Sequence, residues 1–299
     1  EADAMDGGAW LRPDCEDLLA ADALAAGLSG AVSAFGQARL TRSAMLRDSS
    51  PATVATGIDL WPARPLTLIA PWPGSVTVDE GSGAVTLTGT AATLEVRGAL
   101  RPAVSGGHSA EAGDALADVD GRVWIQLRRR GIGDVPAFVR PECAAGWLSQ
   151  VGDPGPLLGL PAAAGLDDDG VALRERRSRA YAEVQEHYYD HPPRIERGWR
   201  EHLIATDGRS YLDMVNNVAV LGHGHPVLAD AVARQWRRLN TNSRFNYGSV
   251  VAFSERLAAT LPDPLDTVFL VNSGSESDDL ALRLAMATTG RHDIVAVAE

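Results

Sequence analysis

The 299-residue sequence contains no lysine: all 27 of its basic residues are arginine. That excludes any chemistry needing a lysine amine from this stretch, whether a Schiff base, a phosphate clamp or a general base. Cysteine is nearly absent as well. Cys15 and Cys143 are too few and too far apart for a disulfide framework or a zinc site, so the expected setting is a reducing, cytoplasmic one. Positive charge is outnumbered, and the net charge of −12 argues against nucleic-acid and anionic-membrane partners, because phosphate surfaces need clustered cations. Long apolar runs are missing too. The stretch from Leu18 to Phe35 is broken by Asp22, Ser29 and Ser33, and it lacks the basic flank of a signal peptide.

What is present suffices for about two domains. Both ends, Glu1 and Glu299, read as cut from a longer polypeptide. Residues 1–50 read as the tail of an upstream region or a linker, with one helix from about Glu16 to Ala26. Over residues 51–160 the texture changes. Short β-rich runs (Leu66–Ala70, Ser75–Val78, Ala84–Thr88, Thr93–Val96, Val123–Leu127) are separated by Gly, Pro and Asp, which predicts a small all-β barrel or sandwich. Residues 161–180 read as a linker, with a solvated acidic turn at Asp167–Asp169.

Helices dominate beyond it. Arg174–Asp190 is predicted as a charged helix and Tyr211–Val220 as a strand. Pro226 is placed to start a helix whose face carries Leu228, Ala231, Val232, Gln235, Trp236 and Leu239. A further helix is predicted from Val250 to Leu261. Thr267–Val271 is a continuous apolar run, as a strand buried on both faces requires. A polar turn, Asn272–Glu276, leads to a helix from about Glu276 to Thr289, with Gly290 at its C-terminal cap. Ile294–Val297 is a second β run. The pattern predicts a parallel strand pair joined by a right-handed crossover.

The polar turn has two readings. Orphan N–H groups at a helix start favour an anion, with Gly274 permitting close approach and Ser273 and Ser275 offering hydroxyls. Alternatively it is an ordinary cap, with Ser275 and Asp278 at capping-box spacing. It is not a Walker motif, having no lysine and the wrong glycine spacing.

The motif Val271-Asn-Ser-Gly-Ser-Glu276, with Leu280-Ala-Leu-Arg-Leu284 and Thr289-Gly-Arg291, resembles the phosphate-binding segment of class III (fold type I) pyridoxal-phosphate-dependent aminotransferases. Upstream, Asp207-Gly-Arg209, Tyr211-Leu-Asp213, Leu221-Gly-His-Gly-His-Pro226 and Leu261-Pro-Asp263 resemble family motifs in the same order. Met214-Val-Asn-Asn-Val218 and Asn240-Thr-Asn-Ser-Arg244 resemble its ethanolamine-phosphate phospho-lyase-like branch. The resemblance covers residues 181–299 and implies the N-terminal part of an α/β transferase domain in a multidomain protein. It implies pyridoxal 5′-phosphate as cofactor, with Gly274 and Ser275 on its phosphate and Ser273 in support. It also implies a small amine or amino-acid substrate, transamination or phosphate elimination, and a homodimer. The anchoring lysine, the ring-nitrogen aspartate and the stacking aromatic would lie beyond Glu299, so this stretch alone is expected to be inactive. The branch commonly has Cys where Gly224 stands and Ala-Asn where Ser277-Asp278 stand.

Two histidine pairs are expected to be structural rather than metal ligands: His223 with His225 in a turn, and His187 with His191 on a helix surface. The β region resembles the lysostaphin-like zinc metallopeptidase fold through Gly57-Ile-Asp59 and Trp124-Ile-Gln-Leu127. Ala55 and Gln126 stand where histidines are expected, and Asp59 alone cannot hold zinc, so no metal is expected. The alternative to an enzyme is a non-catalytic binding or assembly module with this degenerate β domain.

Overall fold

The computed structural model describes residues 3–43, 50–163, 170–182, 184–185, 188–215, 220–242 and 244–297. The expectations placed on Asp167–Asp169, His187, Asn216–Val218 and Ser243 fall outside these residues. The chain forms two compact units, Glu1–Ala231 and Val232–Glu299.

The first unit opens with two short 3-10 turns over Asp3–Leu11, interrupted at Asp6–Gly8, and then helix α1 (Cys15–Ala25). Glu16 and Asp17 lie in its first turn, where the helix dipole favours acids. A nine-stranded antiparallel sheet follows. Its early strands are β1 (Gly30–Val32), β3 (Ile58–Pro62), β4 (Leu66–Ile69), β5 (Gly74–Val78) and β6 (Val85–Thr88), with the pair β2 (Val54–Ala55) set apart. The later ones are β7 (Ala92–Pro102), β8 (Ser109–Ala110), β9 (Ala115–Arg129) and β11 (Val151–Gly152), while β10 (Phe138–Val139) pairs with β2. The sheet reaches back to Gly30, into the stretch read as upstream tail or linker.

The five β runs predicted from sequence all lie on strands, but two of those strands are far longer than expected. β9, at 15 residues, is the organising strand. β7 pairs along one edge; β4, β3 and β11 share the other, with Leu66 opposite Val119, Ile58 opposite Ile125 and Val151 opposite Arg128. Register slips in β7 between Gly98 and Leu100. Gly98 has φ +125°, and a Cβ there would sit 2.6 Å from the Arg122 carbonyl oxygen, so only glycine allows this bend. Alternating residues of the strands, including Val76, Leu87, Val119 and Val123 at 0% exposure, form one core. Between β5 and β6, Ser82 donates from both its hydroxyl and its backbone N–H to Asp79, and these bonds hold that carboxyl below its ordinary range.

Helix α2 (Pro141–Leu148) was not legible in the sequence. Helix α3 (Gly170–Ala180) is shorter than the predicted Arg174–Asp190. Arginines three apart (Arg174 with Arg177, Arg176 with Arg179) repel along one side, and Val184 and Tyr188, 89% and 92% exposed, find nothing to pack on. His191 therefore lies beyond any helix.

A three-stranded antiparallel sheet completes the unit: β12 (Ile195–Trp199), β13 (His202–Ala205) and β14 (Ser210–Leu212). It packs on the N-terminal turns. Trp10, 1% exposed, meets Trp199 edge-on at 6.1 Å, Arg197 pairs with Asp6 at 2.9 Å, and Thr53 donates its hydroxyl to the Asp207 carbonyl. The predicted strand Tyr211–Val220 stops at Leu212, because Asp213 turns back to accept the Val215 N–H.

Helix α4 (Pro226–Arg238) begins at the predicted proline and runs into the second unit, which also holds α5 (Gly248–Ala258) and α6 (Gly274–Thr289). Gly290, at φ +67°, caps α6 as expected. The predicted strands Thr267–Val271 and Ile294–Val297 are corrected: neither joins a sheet among the described residues. A strand of this kind is stable only with ladder partners at its edges and helices over its faces. Phe269 is instead 67% exposed, and Val295 and Val297 are each 97% exposed. No described helix is long and apolar enough to cross a membrane.

The two thiols differ in exposure. Cys15 is buried, and burial foremost pushes its pKa up; Cys143 is exposed. A thiol reagent at neutral pH is expected to label Cys143 in the folded chain and Cys15 only on unfolding, which mass spectrometry of the labelled peptides checks.

Candidate functional site

The segment singled out by sequence is the start of α6. Ser273, with extended backbone (φ −151°, ψ 160°), is the N-cap, and its hydroxyl accepts the Glu276 N–H at 3.2 Å. The Glu276 carboxylate reaches back to the Asn272 N–H at 2.7 Å. The cap is therefore the Ser273–Glu276 pair, not the Ser275–Asp278 spacing considered from sequence. The first helical bond runs from Ser277 N–H to the Ser273 carbonyl. The Gly274 and Ser275 N–H groups precede it and have no acceptor within the helix. Apart from its chain neighbours and the backbone of its own helix, no heavy atom lies within 4 Å of a Cβ placed on Gly274, so the approach is open. Ser273, Gly274 and Ser275 are thus brought together by one cap, on an exposed surface. Acids are close by: Glu276 is engaged by the backbone, and Asp279 pairs with Arg283 at 2.9 Å. Replacing Ser273 by alanine is expected to destabilise α6 by about 1 kcal/mol, read as lost helicity by circular dichroism.

The two histidines of the Leu221–Pro226 turn have separate partners. His223 Nε2 lies 2.6 Å from Asp213 Oδ2, and its backbone exchanges hydrogen bonds with Arg200. His225 Nδ1 accepts the Leu228 N–H at 3.3 Å, at the start of α4. Glycine makes room for the turn: a Cβ on Gly198 would sit 2.4 Å from the His223 Cβ.

A second cluster surrounds Asp59, which is 3% exposed. One carboxylate oxygen accepts from Arg39 Nη1 at 2.6 Å and the other from Arg122 Nε at 2.8 Å. Arg122 also reaches Glu16 at 2.7 Å and Asp17 at 3.1 Å, tying α1 to the sheet. Thr41 donates to Glu16, and Trp61 Nε1 donates to Asp17. Arg39 stacks over Phe138, 4.9 Å from its ring centre. Burial works against the Arg122 charge, but its bond to Asp59 and the charges of Asp59, Glu16 and Asp17 outweigh it and raise the pKa above the ordinary arginine value. Both Asp59 oxygens are thus committed to guanidinium groups. Gln126 donates to Thr56 at 2.8 Å inside the sheet. Among the described residues no three His, Cys, Asp or Glu side chains gather as a metal site. The arginine partners of Asp59, 20 and 63 residues away, carry no local sequence signal; only the β3–β9 register brings Arg122 to it.

Comparison with known proteins bears on the C-terminal part. Residues 184–299 match the family described as aminotransferase class-III. The chain is 43% identical over 108 residues to an alanine–glyoxylate aminotransferase 2-like protein of Drosophila melanogaster, covering 36% of this chain and 22% of that one. It thus spans less than a quarter of that curated relative. Among solved structures it is similar to a phospholyase from Arthrobacter in complex with phosphoethanolamine, at 36% identity and a TM-score of 0.38, covering 40% of this chain and 28% of that one. It is also similar to the antimicrobial peptidase lysostaphin from Staphylococcus simulans, at 11% identity and a TM-score of 0.27, covering 42% of this chain and 48% of that one.

Proposed function

We propose that residues 184–299, a class III aminotransferase segment, supply the phosphate-holding part of a pyridoxal-phosphate site whose covalent part lies outside these 299 residues. The observation that carries this is the start of α6, where Gly274 and Ser275 present unspent N–H donors beside an open backbone. Two such donors, one hydroxyl and the positive end of a 16-residue helix suit a phosphate. Gly274 and Ser275 would hold it, and Ser273 fixes the helix start from which they point. Glu276, turned back onto Asn272, keeps its charge committed to the backbone; Asp278 weakens the attraction.

When bound, the cofactor supplies an electron sink for a substrate carbanion. This chain's part is to bind and orient it through the phosphate. The absence of lysine supports placing the covalent anchor elsewhere in a longer polypeptide. A small amine or amino acid is the proposed substrate, handled by transamination or phosphate elimination. The aminotransferase relative supports the first route, and the resemblance of the segments at 214–218 and 240–244 to the phospho-lyase-like branch supports the second. A cytoplasmic homodimer completes the reading.

The test uses the longer polypeptide. Ser275→Asp removes a donor and sets a charge against the phosphate, so cofactor affinity is expected to fall about 10- to 100-fold, as for loss of a charge-assisted bond. Cofactor retained at the wild-type level after gel filtration would overturn the assignment.

A further inference from the structure

Residues 184–299 carry the family match, yet their first sheet, β12–β14, is gripped by residues near the start of the sequence. Two side chains of Asp3–Leu11 hold β12. Trp10, almost completely buried, meets Trp199 edge-on, an arrangement that aromatic rings favour. Asp6 pairs with Arg197, whose guanidinium also lies 5.8 Å from the centre of the Trp10 ring. Between these two holds the backbone swings through positive φ at Gly7 and Gly8, +62° and +82°. A Cβ on Gly8 would come within 2.7 Å of the Trp199 indole, so the segment lies flush against that ring.

The same end of β12 shapes the Leu221–Pro226 turn. A Cβ on Gly224 would lie 3.6 Å from the Trp199 ring, and one on Gly198 would run into His223. Arg200 and His223 exchange backbone hydrogen bonds, 2.9 Å from the Arg200 N–H and 2.7 Å from the His223 N–H. His223 is fixed to Asp213, and His225 accepts from the Leu228 N–H where α4 begins. A continuous line of contacts thus runs from Trp10 through Trp199 to the first turn of α4.

We propose that Asp3–Leu11 is a strap that governs the order of the Leu221–Pro226 turn. Seated on β12, it holds the turn and the start of α4 in place; detached, it releases both. The strap acts within the first unit and does not rest on the cofactor reading.

Amide hydrogen exchange of the 299-residue chain, resolved by NMR, tests this through the Arg200 and His223 N–H groups, which bond each other's carbonyls rather than the strap. Trp10→Ala is expected to speed both about tenfold or more, since an indole's burial is lost together with its ring pair. The amides of β7 and β9 should keep their wild-type rates, because local opening leaves that sheet closed. Trp10→Phe keeps a ring against Trp199 and is expected to restore most of the protection. Asp6→Ala removes only an exposed carboxylate and is expected to speed the two amides about two- to fivefold, the range for an exposed ion pair. It decides the matter if Trp10→Ala unfolds the unit. Wild-type exchange of Arg200 and His223 in folded Trp10→Ala or, failing that, in Asp6→Ala overturns the proposal, as does a rise shared equally by β7 and β9.

Discussion

Asp59→Ala is expected to lower the stability of the first unit by about 3–5 kcal/mol, the cost of breaking a buried pair by removing one partner. The substitution removes few atoms, and its effect is electrostatic. Arg39 and Arg122 both contact Asp59 and Glu16, but Asp59 is the close partner of Arg39, at 2.6 Å against 3.4 Å for Glu16, and Arg39 is too deeply buried for water to replace it. Arg122 is about one-third exposed and keeps Glu16 and Asp17, so most of the penalty falls on Arg39. Asp59→Asn preserves shape and still accepts hydrogen bonds, and should cost less. Asp59→Leu combined with Arg39→Met should recover much of the loss, because an uncharged pair leaves no stranded ion. Urea unfolding followed by tryptophan fluorescence measures all of these, with Trp61 and Trp124 beside the cluster. A midpoint for Asp59→Ala equal to wild type would show that the guanidinium groups find other partners.

The second large effect concerns the cofactor. When the 299-residue chain is incubated with pyridoxal phosphate and reduced with borohydride, no interior residue is expected to retain the cofactor. Without lysine the only primary amine is the terminal α-amino group, so the labelled peptide should be the N-terminal one alone. Turnover with alanine or phosphoethanolamine is expected to be absent for the same reason. A protein extended through a downstream lysine should gain both, and peptide mapping after reduction locates the attachment. Interior labelling of the present chain would sink the reading of it as the phosphate-holding part alone.

The β domain was legible because its strands alternate and its turns carry Gly, Pro and Asp; Val85–Thr88 emerges almost as predicted. The length of β9 was not, since a strand with partners at both edges draws in residues such as Asp118 and Asp120 that break the apolar pattern. The cap at Ser273 was half legible: the residues were singled out, but the choice between two serine–acid spacings was settled by backbone conformation. The strand expectations at Thr267–Val271 and Ile294–Val297 failed for a different reason. Their apolar composition records what such segments need around them, and no partner strand lies beside them among the described residues. The Asp59 cluster was illegible because its members meet only through tertiary register.

Every strand of the nine-stranded sheet lies between Gly30 and Gly152. Nothing in that sheet waits for later sequence, so it can finish folding while residues 184–299 are still being synthesised. The bare segments Thr267–Val271 and Ile294–Val297 then emerge tethered to an already folded, acidic neighbour. Such segments are adhesive by nature. The order of translation therefore gives this polypeptide a built-in solubilising leader, and deleting residues 1–160 should send the remainder into inclusion bodies.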